Sequence, residues 1–537
     1  MLEKEIALGP EYGLRNNYDK MVVYPLAGRR FTGDLSKFTE LGIPIDYSGN
    51  VKFMQVPIAG TPEFIREWVT YKMGIVKKIL KGIAGLSQRQ VALYLLRKTG
   101  HGCRVLYYLR STPRDLIEEF VKEFDENLRS TFETVVGLAT SEEQWEQAGL
   151  RVKGSGLGLS RAGDLADVAY LSSRDATYDD CVALDARHVW DDGVDRPDQA
   201  IEIIGEWLGG CVSRVNACLP EIGQFREGIR PGTAKQGLLM DVIQKRRRDG
   251  MLSRAGVWDK ARLNAMSAPK SGTWLDVPPN RALDTHLSNA EVQYGVGRRL
   301  GIELCEECAC PFCLGTMDRW GAHCESCMAG GDKTVNHNVV RDDLYIHARR
   351  AHTAPVLEAC GVSRLLGLED AADGRVRPAD VLLCRAQDIH TGVGPGGAGK
   401  VALDVGIICP QAAGHLDNTA GEPLGAAEEY VKTKCTRGDT ERRCRENGVV
   451  FQPMIFESTG GVSAEAMRVT TCLNKAVAGN SDSSEVVVAT RFWQRIGIDM
   501  LRGNCRAFRR RLAQDGACDN FGGYFRGVGA LAVPAGA

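Results

Sequence analysis

The feature that most constrains this chain is a crowding of cysteines, because six of its 18 cysteines fall between residues 305 and 327. Within this stretch Cys310, Cys313, His323 and Cys327 follow the spacing C-x2-C-x9-H-x3-C. Two close pairs of soft ligands can converge tetrahedrally on one Zn²⁺, at about 2.3 Å for a thiolate and about 2.0 Å for an imidazole. Four protein ligands leave no open coordination position. The spacing therefore predicts a structural zinc site, not a catalytic one.

Two alternatives stand beside this assignment. Cys305, Cys308 and Cys324 lie close enough in sequence to compete as ligands. The cysteines could also be free thiols buried in a core. In a reducing compartment such crowding favours metal binding over disulfides.

The composition is that of a soluble, multidomain protein. A chain of 537 residues is too long for one hydrophobic core, so three or four domains are expected. Hydrophobic residues at 44% and charged residues at 25% exclude the disordered and fibrous classes. No apolar run reaches the roughly 20 residues that cross a bilayer, and the start, MLEKEIALGPEY, has no secretory-signal pattern. We therefore expect an intracellular protein with no membrane partner.

The net charge of -1 argues against a uniformly basic surface for nucleic acid. Basic residues are concentrated locally instead, as in the run Arg509, Arg510 and Arg511. The simplest interpretation of such a run is a solvated helix face.

The first 300 residues are predicted to be mainly helical. Short β-rich pieces, MVVYPL and VKFMQVPI, precede a segment in which Phe120, Phe124 and Leu128 recur at helical spacing. Further helical patterns continue from 176 to 300, which indicates a helical connector.

After the cysteines the pattern changes to helix, strand, strand, helix, strand. The segments are YIHARRAHTAPVLEACG, RPADVLLC, VALDVGIICP, GAAEEYVKTK and VVFQPMIFES. Strands that alternate with helices in this way indicate a small α/β sandwich. The last residues, rich in Gly and Ala, are typical of a frayed tail.

Two aspartates are associated with the two apolar strands. Asp380 directly precedes the first strand, and Asp404 lies inside the second. A carboxylate inside an apolar strand is energetically costly unless it is paired or binds a metal. Carboxylates at one edge of neighbouring strands could hold Mg²⁺, which would activate water. Glu369 could add a further ligand. The competing interpretation places Asp380 and Asp404 at turns or edges that face solvent.

The helix that follows offers two cations, Lys432 and Lys434. Either could orient water or stabilise the charge that develops on a phosphate. The spacing alone does not say which lysine faces the carboxylates.

These residues together resemble the C-terminal part of a non-LTR retrotransposon polyprotein, and the resemblance extends over most of the chain. The CCHC knuckle precedes RPADVLL with Asp380, then ALDV with Asp404, EEYVKTKC with the lysines, and FQPMIFESTGG. Upstream, GLRNNYDKMVVYP and VKFMQVPIAG resemble segments that follow the catalytic motif of reverse transcriptases. The order of knuckle and nuclease is the specific signal.

The resemblance implies a multidomain α+β protein with a helical reverse-transcriptase thumb and connector, a small zinc knuckle and a PD-(D/E)xK-like α/β nuclease domain. Its implied boundaries are 1–70 for a residual palm segment, 71–175 for the thumb-like region, 176–300 for the connector, 301–345 for the knuckle, 346–515 for the restriction-endonuclease-like domain and 516–537 for a flexible tail.

The chain also departs from the family pattern. It contains no Tyr/Phe-x-Asp-Asp motif, so DNA synthesis by this chain is not expected. Ala379 separates Pro378 from Asp380, and Gly406 stands where the lysine of PD-(D/E)xK would be. A lysine on the next helix could serve the same electrostatic role.

The resemblance implies a Mg²⁺-dependent DNA endonuclease that nicks target DNA for retrotransposition, with DNA and element RNA as partners and the nucleus as its location. Two alternatives remain at this stage. The chain could be a catalytically inactive nucleic-acid-binding remnant, or a zinc-dependent interaction protein.

Overall fold

The structure is a computed structural model that describes residues 6–24, 34–48, 50–59, 61–184, 186, 188, 190, 209–226, 229–357, 379–386 and 399–512. The described residues form a mixed α+β protein dominated by helices. None of their helices is long and apolar enough to cross a membrane.

Two β-hairpins and one four-stranded sheet accompany the helices. The strands are β1 (Val51–Phe53), β2 (Val56–Ala59), β3 (Cys308–Ala309), β4 (Thr316–Met317), β5 (Pro355–Leu357), β6 (Val381–Leu383), β7 (Lys400–Ile408) and β8 (Val449–Glu457).

The α-helices that precede the cysteine cluster are α1 (Ser36–Glu40), α2 (Pro62–Ala84), α3 (Arg89–Leu95), α4 (Leu106–Ser111), α5 (Glu118–Val136), α6 (Glu142–Gly149), α7 (Ala162–Leu184), α8 (Gln236–Arg254), α9 (Val257–Ser267) and α10 (Asn289–Leu300). The later helices are α11 (Ala322–Ser326), α12 (Asp332–Arg350), α13 (Leu416–Gly421), α14 (Gly425–Thr436), α15 (Thr440–Glu446), α16 (Ala464–Gly479) and α17 (Glu485–Leu512).

The chain divides into two compact units, each built from separate stretches of sequence. One comprises Met1–Ile79, His101–Leu128 and Arg161–Arg246, and the other comprises Leu80–Gly100, Arg129–Ser160 and Arg247–Ala537. The boundaries implied by the family resemblance remain predictions.

Aromatic side chains form part of the core of the first unit. The Trp68 and Tyr108 rings meet edge to face with their centroids 5.2 Å apart, and Phe120 lies 6.5 Å from Tyr108. Such edge-to-face pairs add to the stabilisation from apolar burial. Phe120, Phe124 and Leu128 are almost fully buried along α5, so the predicted helical face is confirmed.

The four-stranded sheet of the second unit has the order β5-β6-β7-β8. β6 runs antiparallel to both of its neighbours, β5 and β7, whereas β8 runs parallel to β7. Antiparallel neighbours can be joined by a turn, but a parallel pair needs a longer crossover. Helices α13, α14 and α15 supply that crossover between β7 and β8.

Helices cover both faces of this sheet. Leu403 and Val405 of β7 point to the face that packs against α12, α16 and α17. Ala402 and Ile408 point to the opposite face, where α15 and α14 lie. Because side chains alternate along a strand, Asp404 also points to the α14 face. Helices on both faces of one sheet agree with the predicted mixed α+β class, but the strand β5 was not predicted.

One predicted helix boundary is wrong. The sequence pattern extended a helix from residue 345 to residue 361, but α12 ends at Arg350 and the strand β5 begins at Pro355. A proline lacks the N–H that an α-helix requires and disfavours helical backbone in the residue before it. Residues 355–357 pair with β6 instead.

The end of β8 buries an acidic side chain. Glu457 has no exposed surface, and its Oε2 accepts a hydrogen bond of 3.3 Å from Thr459. Its Oε1 has no hydrogen-bond partner within the described part of the chain. Burial disfavours the charged carboxylate and raises the pKa of Glu457 to about 8.

This buried carboxyl predicts a loss of stability at alkaline pH. The free glutamate pKa is about 4.3, so between that pH and the raised pKa the folded protein holds a proton that the unfolded chain has lost. The contribution of Glu457 to the free energy of unfolding therefore decreases as pH rises through this interval. Glu457→Gln should be more stable than the parent above about pH 8, by on the order of a few kcal/mol.

Urea unfolding at about pH 5 and about pH 8.5 checks this expectation. The matched control is Glu429→Gln, since the Glu429 side chain is 57% exposed. An identical pH dependence in the parent and in Glu457→Gln would contradict it.

Candidate metal centre and acidic site

The knuckle is built from a short hairpin and a one-turn helix. β3 and β4 pair as the hairpin, and Cys310 and Cys313 lie in its loop. The loop is closed by a hydrogen bond of 2.8 Å from Cys310 N to Gly315 O. His323 lies on α11, and Cys327 directly follows that helix.

The four predicted ligands converge. One ligand atom each from Cys310, Cys313, His323 and Cys327 lies within 4.8 Å of all the others, and Cys313 Sγ is 3.3 Å from His323 Nε2. Across the described ranges, this is the single group of three or more His, Cys, Asp or Glu side chains that meets this distance. The arrangement could hold a metal ion.

The surroundings of Cys310 favour its thiolate form. Burial alone would raise the pKa of Cys310, but hydrogen bonds from the backbone N–H groups of Phe312 and Cys313, together with His323, lower it to about 6. A deprotonated thiol is the form that binds metal. Burial raises the pKa of Cys305 to about 12 and also raises that of Cys324. A raised pKa does not by itself separate these cysteines from the predicted ligands, because the pKa of Cys313 is raised too: a backbone hydrogen bond lowers it, but burial and the neighbouring thiols outweigh that bond.

Asp318 fixes the orientation of the helix that carries His323. Its Oδ2 accepts a hydrogen bond of 2.6 Å from His323 N, and its Oδ1 accepts one of 3.0 Å from Ala322 N. Carboxylates near the first turn of a helix satisfy N–H groups that have no partner within the helix.

The basic end of α17 packs onto the knuckle, so the expectation of a solvated face at Arg509, Arg510 and Arg511 is wrong in part. The Arg511 side chain has no exposed surface and forms a salt bridge of 2.9 Å with Asp332. Both Arg510 and Arg511 lie 5.1 Å from the centroid of the Phe312 ring. Burial opposes the charge on Arg511, but Cys327 and Asp332 outweigh it and raise its pKa.

A second site lies at the sheet, where Asp380 directly precedes β6. Its backbone N–H donates to Leu403 O over 2.9 Å, and its Oδ2 accepts a hydrogen bond of 2.7 Å from Val405 N. The Asp380 carboxylate therefore accepts the Val405 N–H hydrogen bond that a backbone carbonyl would accept if β6 were longer. Asp380 is 8% exposed and does not face open solvent.

Asp404 is the second carboxylate of this site. It is 8% exposed, and its two oxygens lie 3.1 Å and 2.9 Å from Lys434 Nζ. Burial raises the pKa of Asp404 and the charge of Asp380 adds to that effect, while Lys434 opposes it. The proximity of Asp404 likewise outweighs burial and raises the pKa of Lys434.

The two candidate lysines have different surroundings. Lys434 is 22% exposed and contacts Asp404, whereas Lys432 is 74% exposed and lies 3.5 Å from Glu429 on the same helix. Residues two apart on a helix point in nearly opposite directions, which explains the difference. Lys434 is the lysine that the fold brings to the carboxylates.

Gly406 occupies the next position on that face of β7, where a larger side chain would be crowded. A Cβ atom at residue 406 would lie 2.8 Å from Ile455 Cδ1 and 3.1 Å from Tyr430 Cε1. A lysine at this position would require those neighbours to move. The cation is supplied instead from α14, which packs on that face.

Sequence reasoning missed one residue of this site, His337 on α12. Its Nε2 lies 3.2 Å from Asp380 Oδ2 and 3.2 Å from Val405 O. Burial favours the neutral imidazole, but Asp380 raises the pKa of His337 above its ordinary value. Because His337 lies far from both aspartates in sequence, no local spacing indicates its role.

The acidic site differs from the knuckle in how tightly its groups converge. Asp380, Asp404 and His337 do not form a group whose ligand atoms all lie within 4.8 Å of one another. The Asp404 carboxylate is paired with Lys434 on the α14 side. Glu369, the further predicted ligand, lies outside the described residues.

Comparison with protein-family models and with curated proteins finds no match for this chain. A functional assignment therefore depends on the geometry of the two sites and on the sequence pattern.

Proposed function

We propose that the second unit carries a metal-dependent DNA endonuclease related to the restriction-like nucleases of non-LTR retrotransposons. The observation that carries this proposal is the ion pair of Asp404 with Lys434 inside the sheet, close enough to Asp380 for its charge to raise the pKa of Asp404. Two carboxylates and a cation beside one sheet are the groups that phosphodiester hydrolysis needs.

The sheet supports the same proposal. A β-hairpin-like pair followed by a helical crossover to a parallel strand is the arrangement expected of a PD-(D/E)xK-like core. Asp404 occupies the acidic position on β7, and its partner in the parallel register is Pro453 on the edge strand β8. Gly406 stands where the PD-(D/E)xK pattern has a lysine. Lys434 would supply the missing positive charge, because it reaches Asp404 from α14.

The proposed cofactor is a divalent cation such as Mg²⁺, which would have to compete with Lys434 for the Asp404 carboxylate. Asp380 and Asp404 would hold it through oxygen, which is the ligand that Mg²⁺ prefers. When bound, such a cation polarises a phosphoryl oxygen and lowers the pKa of a bound water. Within the chain itself, Lys434 keeps a positive charge beside Asp404, where it can stabilise the charge that develops on a cleaved phosphate.

We further propose that the knuckle binds one structural Zn²⁺ through Cys310, Cys313, His323 and Cys327. Three sulfurs and one nitrogen within 4.8 Å of one another are compatible with a closed tetrahedral site. Arg511 adds a positive charge beside Cys327, which offsets the negative charge of three thiolates.

The proposed partners follow from the reaction and from the resemblance. Target DNA would be the substrate, element RNA a second nucleic acid, and the nucleus the location. Phosphate contacts by Lys and Arg would supply most of the affinity, which should therefore weaken with salt.

Conversion of supercoiled plasmid to nicked circle by the full chain tests the proposal. We expect nicking when Mg²⁺ or Mn²⁺ is added and none when both are omitted. Omission is preferable to a chelator, because a chelator could also remove zinc from the knuckle. Binding of plasmid without nicking under either metal would favour the catalytically inactive alternative.

The lysine pair provides a matched test within this assay. Lys434→Ala should lower the nicking rate by about 10²-fold, the typical cost of removing one group that stabilises transition-state charge. Lys432→Ala should stay close to the parent, because Lys432 is exposed and contacts only Glu429 among the described salt bridges. Equal rates for the two variants would contradict the role of Lys434.

A further inference from the structure

A buried carboxylate connects the knuckle to the sheet. Glu325 lies on α11, between the predicted zinc ligands His323 and Cys327, and its side chain is 2% exposed. Its Oε2 accepts a hydrogen bond of 2.6 Å from Ser458 Oγ, and Cys409 Sγ lies 3.8 Å from the same oxygen. Cys409 directly follows β7, and Ser458 directly follows β8. One side chain of the knuckle helix therefore contacts the carboxyl ends of both parallel strands.

The same carboxylate is also held from α10. Its Oε1 accepts hydrogen bonds of 2.8 Å from Tyr294 Oη and 2.8 Å from Arg298 Nε, and Arg298 Nη2 lies 3.1 Å from Oε2. Arg298 Nη2 also donates to Gln411 Oε1 over 2.7 Å. A carboxylate removed from water is stable only when its charge is paired and its oxygens are hydrogen-bonded. Glu325 meets both conditions, so its position is closely fixed.

Ser458 carries this connection into the strand pair. Its backbone N–H donates to Ile408 O, the last carbonyl of β7, over 2.7 Å. Its own carbonyl accepts a hydrogen bond of 2.9 Å from Asn504 Nδ2 on α17. A displacement of Glu325 would leave the buried Ser458 hydroxyl without its partner at the point where the strand pair ends, and a buried polar group without a partner is unfavourable.

The position of α11 depends on contacts outside the helix. It is five residues long, and isolated helices shorter than about 12 residues are marginal in water. The candidate zinc ligands His323 and Cys327, the Asp318 carboxylate and the hydrogen bonds of Glu325 all act on this single turn. Losing one set of these contacts should therefore weaken the others.

We propose that zinc binding at the knuckle and the stability of the β7–β8 strand pair are coupled through Glu325, a positioning residue for both. This inference rests on the proposed zinc site but not on the proposed nuclease activity. Because β7 also carries Asp404, zinc occupancy would regulate the order of the strand that holds the candidate acidic site. The knuckle would then be part of the sheet's structure and not a separate binding module.

Coupling between two sites is reciprocal, so a change at the strand end should weaken zinc binding. Ser458→Ala removes the hydroxyl that contacts Glu325 but removes no zinc ligand and no buried charge. We expect the zinc affinity of the full chain, measured by competition with a chromophoric chelator, to fall by about 3-fold to 10-fold, which is the free energy of one hydrogen bond expressed as an affinity ratio. Ser481→Ala is the matched control, because Ser481 is exposed and its hydroxyl donates to Val477 O at the end of α16.

Hydrogen exchange of the parent with and without zinc gives a second measurement that needs no variant. Removing zinc should speed exchange of the β7 and β8 amides as well as those of residues 305–330, because the strand ends lose a fixed partner. The amides of α7, which belongs to the other compact unit, provide an internal reference.

Equal zinc affinity in the parent, Ser458→Ala and Ser481→Ala would overturn the coupling while leaving the zinc site in place. Faster exchange confined to residues 305–330 after zinc removal would overturn it as well. A reduced parent chain that binds no zinc would contradict the proposed zinc site and the coupling together. Neither measurement depends on whether the chain nicks DNA.

Discussion

Replacing Asp404 with asparagine should lower the rate of plasmid nicking by at least about two orders of magnitude, because a bound metal ion supplies several kcal/mol of transition-state stabilisation. Asp380→Asn should have an effect of similar size. Each substitution removes a charge that a divalent cation requires while keeping the shape of the side chain. DNA affinity should persist in both variants, since it depends mainly on Lys and Arg contacts to phosphates.

The variants must be shown to fold. Asp404 is buried against Lys434, so its replacement leaves a partly buried ammonium group without its partner. Circular dichroism and zinc content should therefore be measured beside the nicking rate. Asp417→Asn is a suitable control, because Asp417 is exposed on α13 in the same crossover. Undiminished nicking by folded Asp380→Asn and Asp404→Asn would show that the site is assigned wrongly.

Removing a knuckle ligand should have the largest structural effect. Cys310→Ser or His323→Ala should lose zinc and loosen the segment from about residue 305 to 330, because structural zinc contributes on the order of 10 kcal/mol to folding in zinc-finger peptides. Elemental analysis should give one zinc per parent chain. Limited proteolysis should then cut the variants within this segment and spare the parent.

Cys308→Ser is the control for this experiment. Cys308 is an exposed cysteine of the same hairpin but lies outside the converging group. It should retain zinc and resist proteolysis as the parent does. Reduced parent protein that carries no zinc, when purified without chelator, would contradict the assignment.

The knuckle could be predicted from sequence because its four ligands lie within one short stretch. C-x2-C and H-x3-C each fix a close pair through local backbone geometry, so only one hairpin and one helical turn are needed to join them. Its support could not be predicted in the same way. Arg511 reaches Asp332 across 179 residues of sequence, and a run of arginines carries no indication of that contact.

The acidic site was predictable only in outline. Asp380 and Asp404 stand out because a carboxylate beside or within an apolar strand is unfavourable without a partner. Which of Lys432 and Lys434 faces Asp404 depends on how α14 is rotated about its own axis where it packs on β7. Helical periodicity alone does not determine that rotation. The predicted boundary between residues 345 and 346 falls inside α12, the helix that carries His337. The contact between His337 and Asp380 spans 43 residues of sequence.

The helix predicted through residue 361 illustrates a different limit. Hydropathy does not distinguish a strand from a helix over a stretch as short as Pro355–Leu357, although Pro355 disfavours a helix that continues through residue 354. Pairing with β6 decides between them, and that partner lies more than 20 residues later in the sequence. The proline indicates where the helix should end, and long-range pairing with β6 makes the following residues a strand.

The most direct test of the central claim is plasmid nicking by the zinc-loaded full chain, measured beside the Asp380→Asn, Asp404→Asn double variant. Both proteins should bind plasmid at low salt. We predict that the parent converts supercoiled plasmid to nicked circle only when Mg²⁺ or Mn²⁺ is present and that the double variant does not. Failure of the parent to nick bound plasmid with either metal, or nicking by the double variant at the parent's rate, would contradict the account.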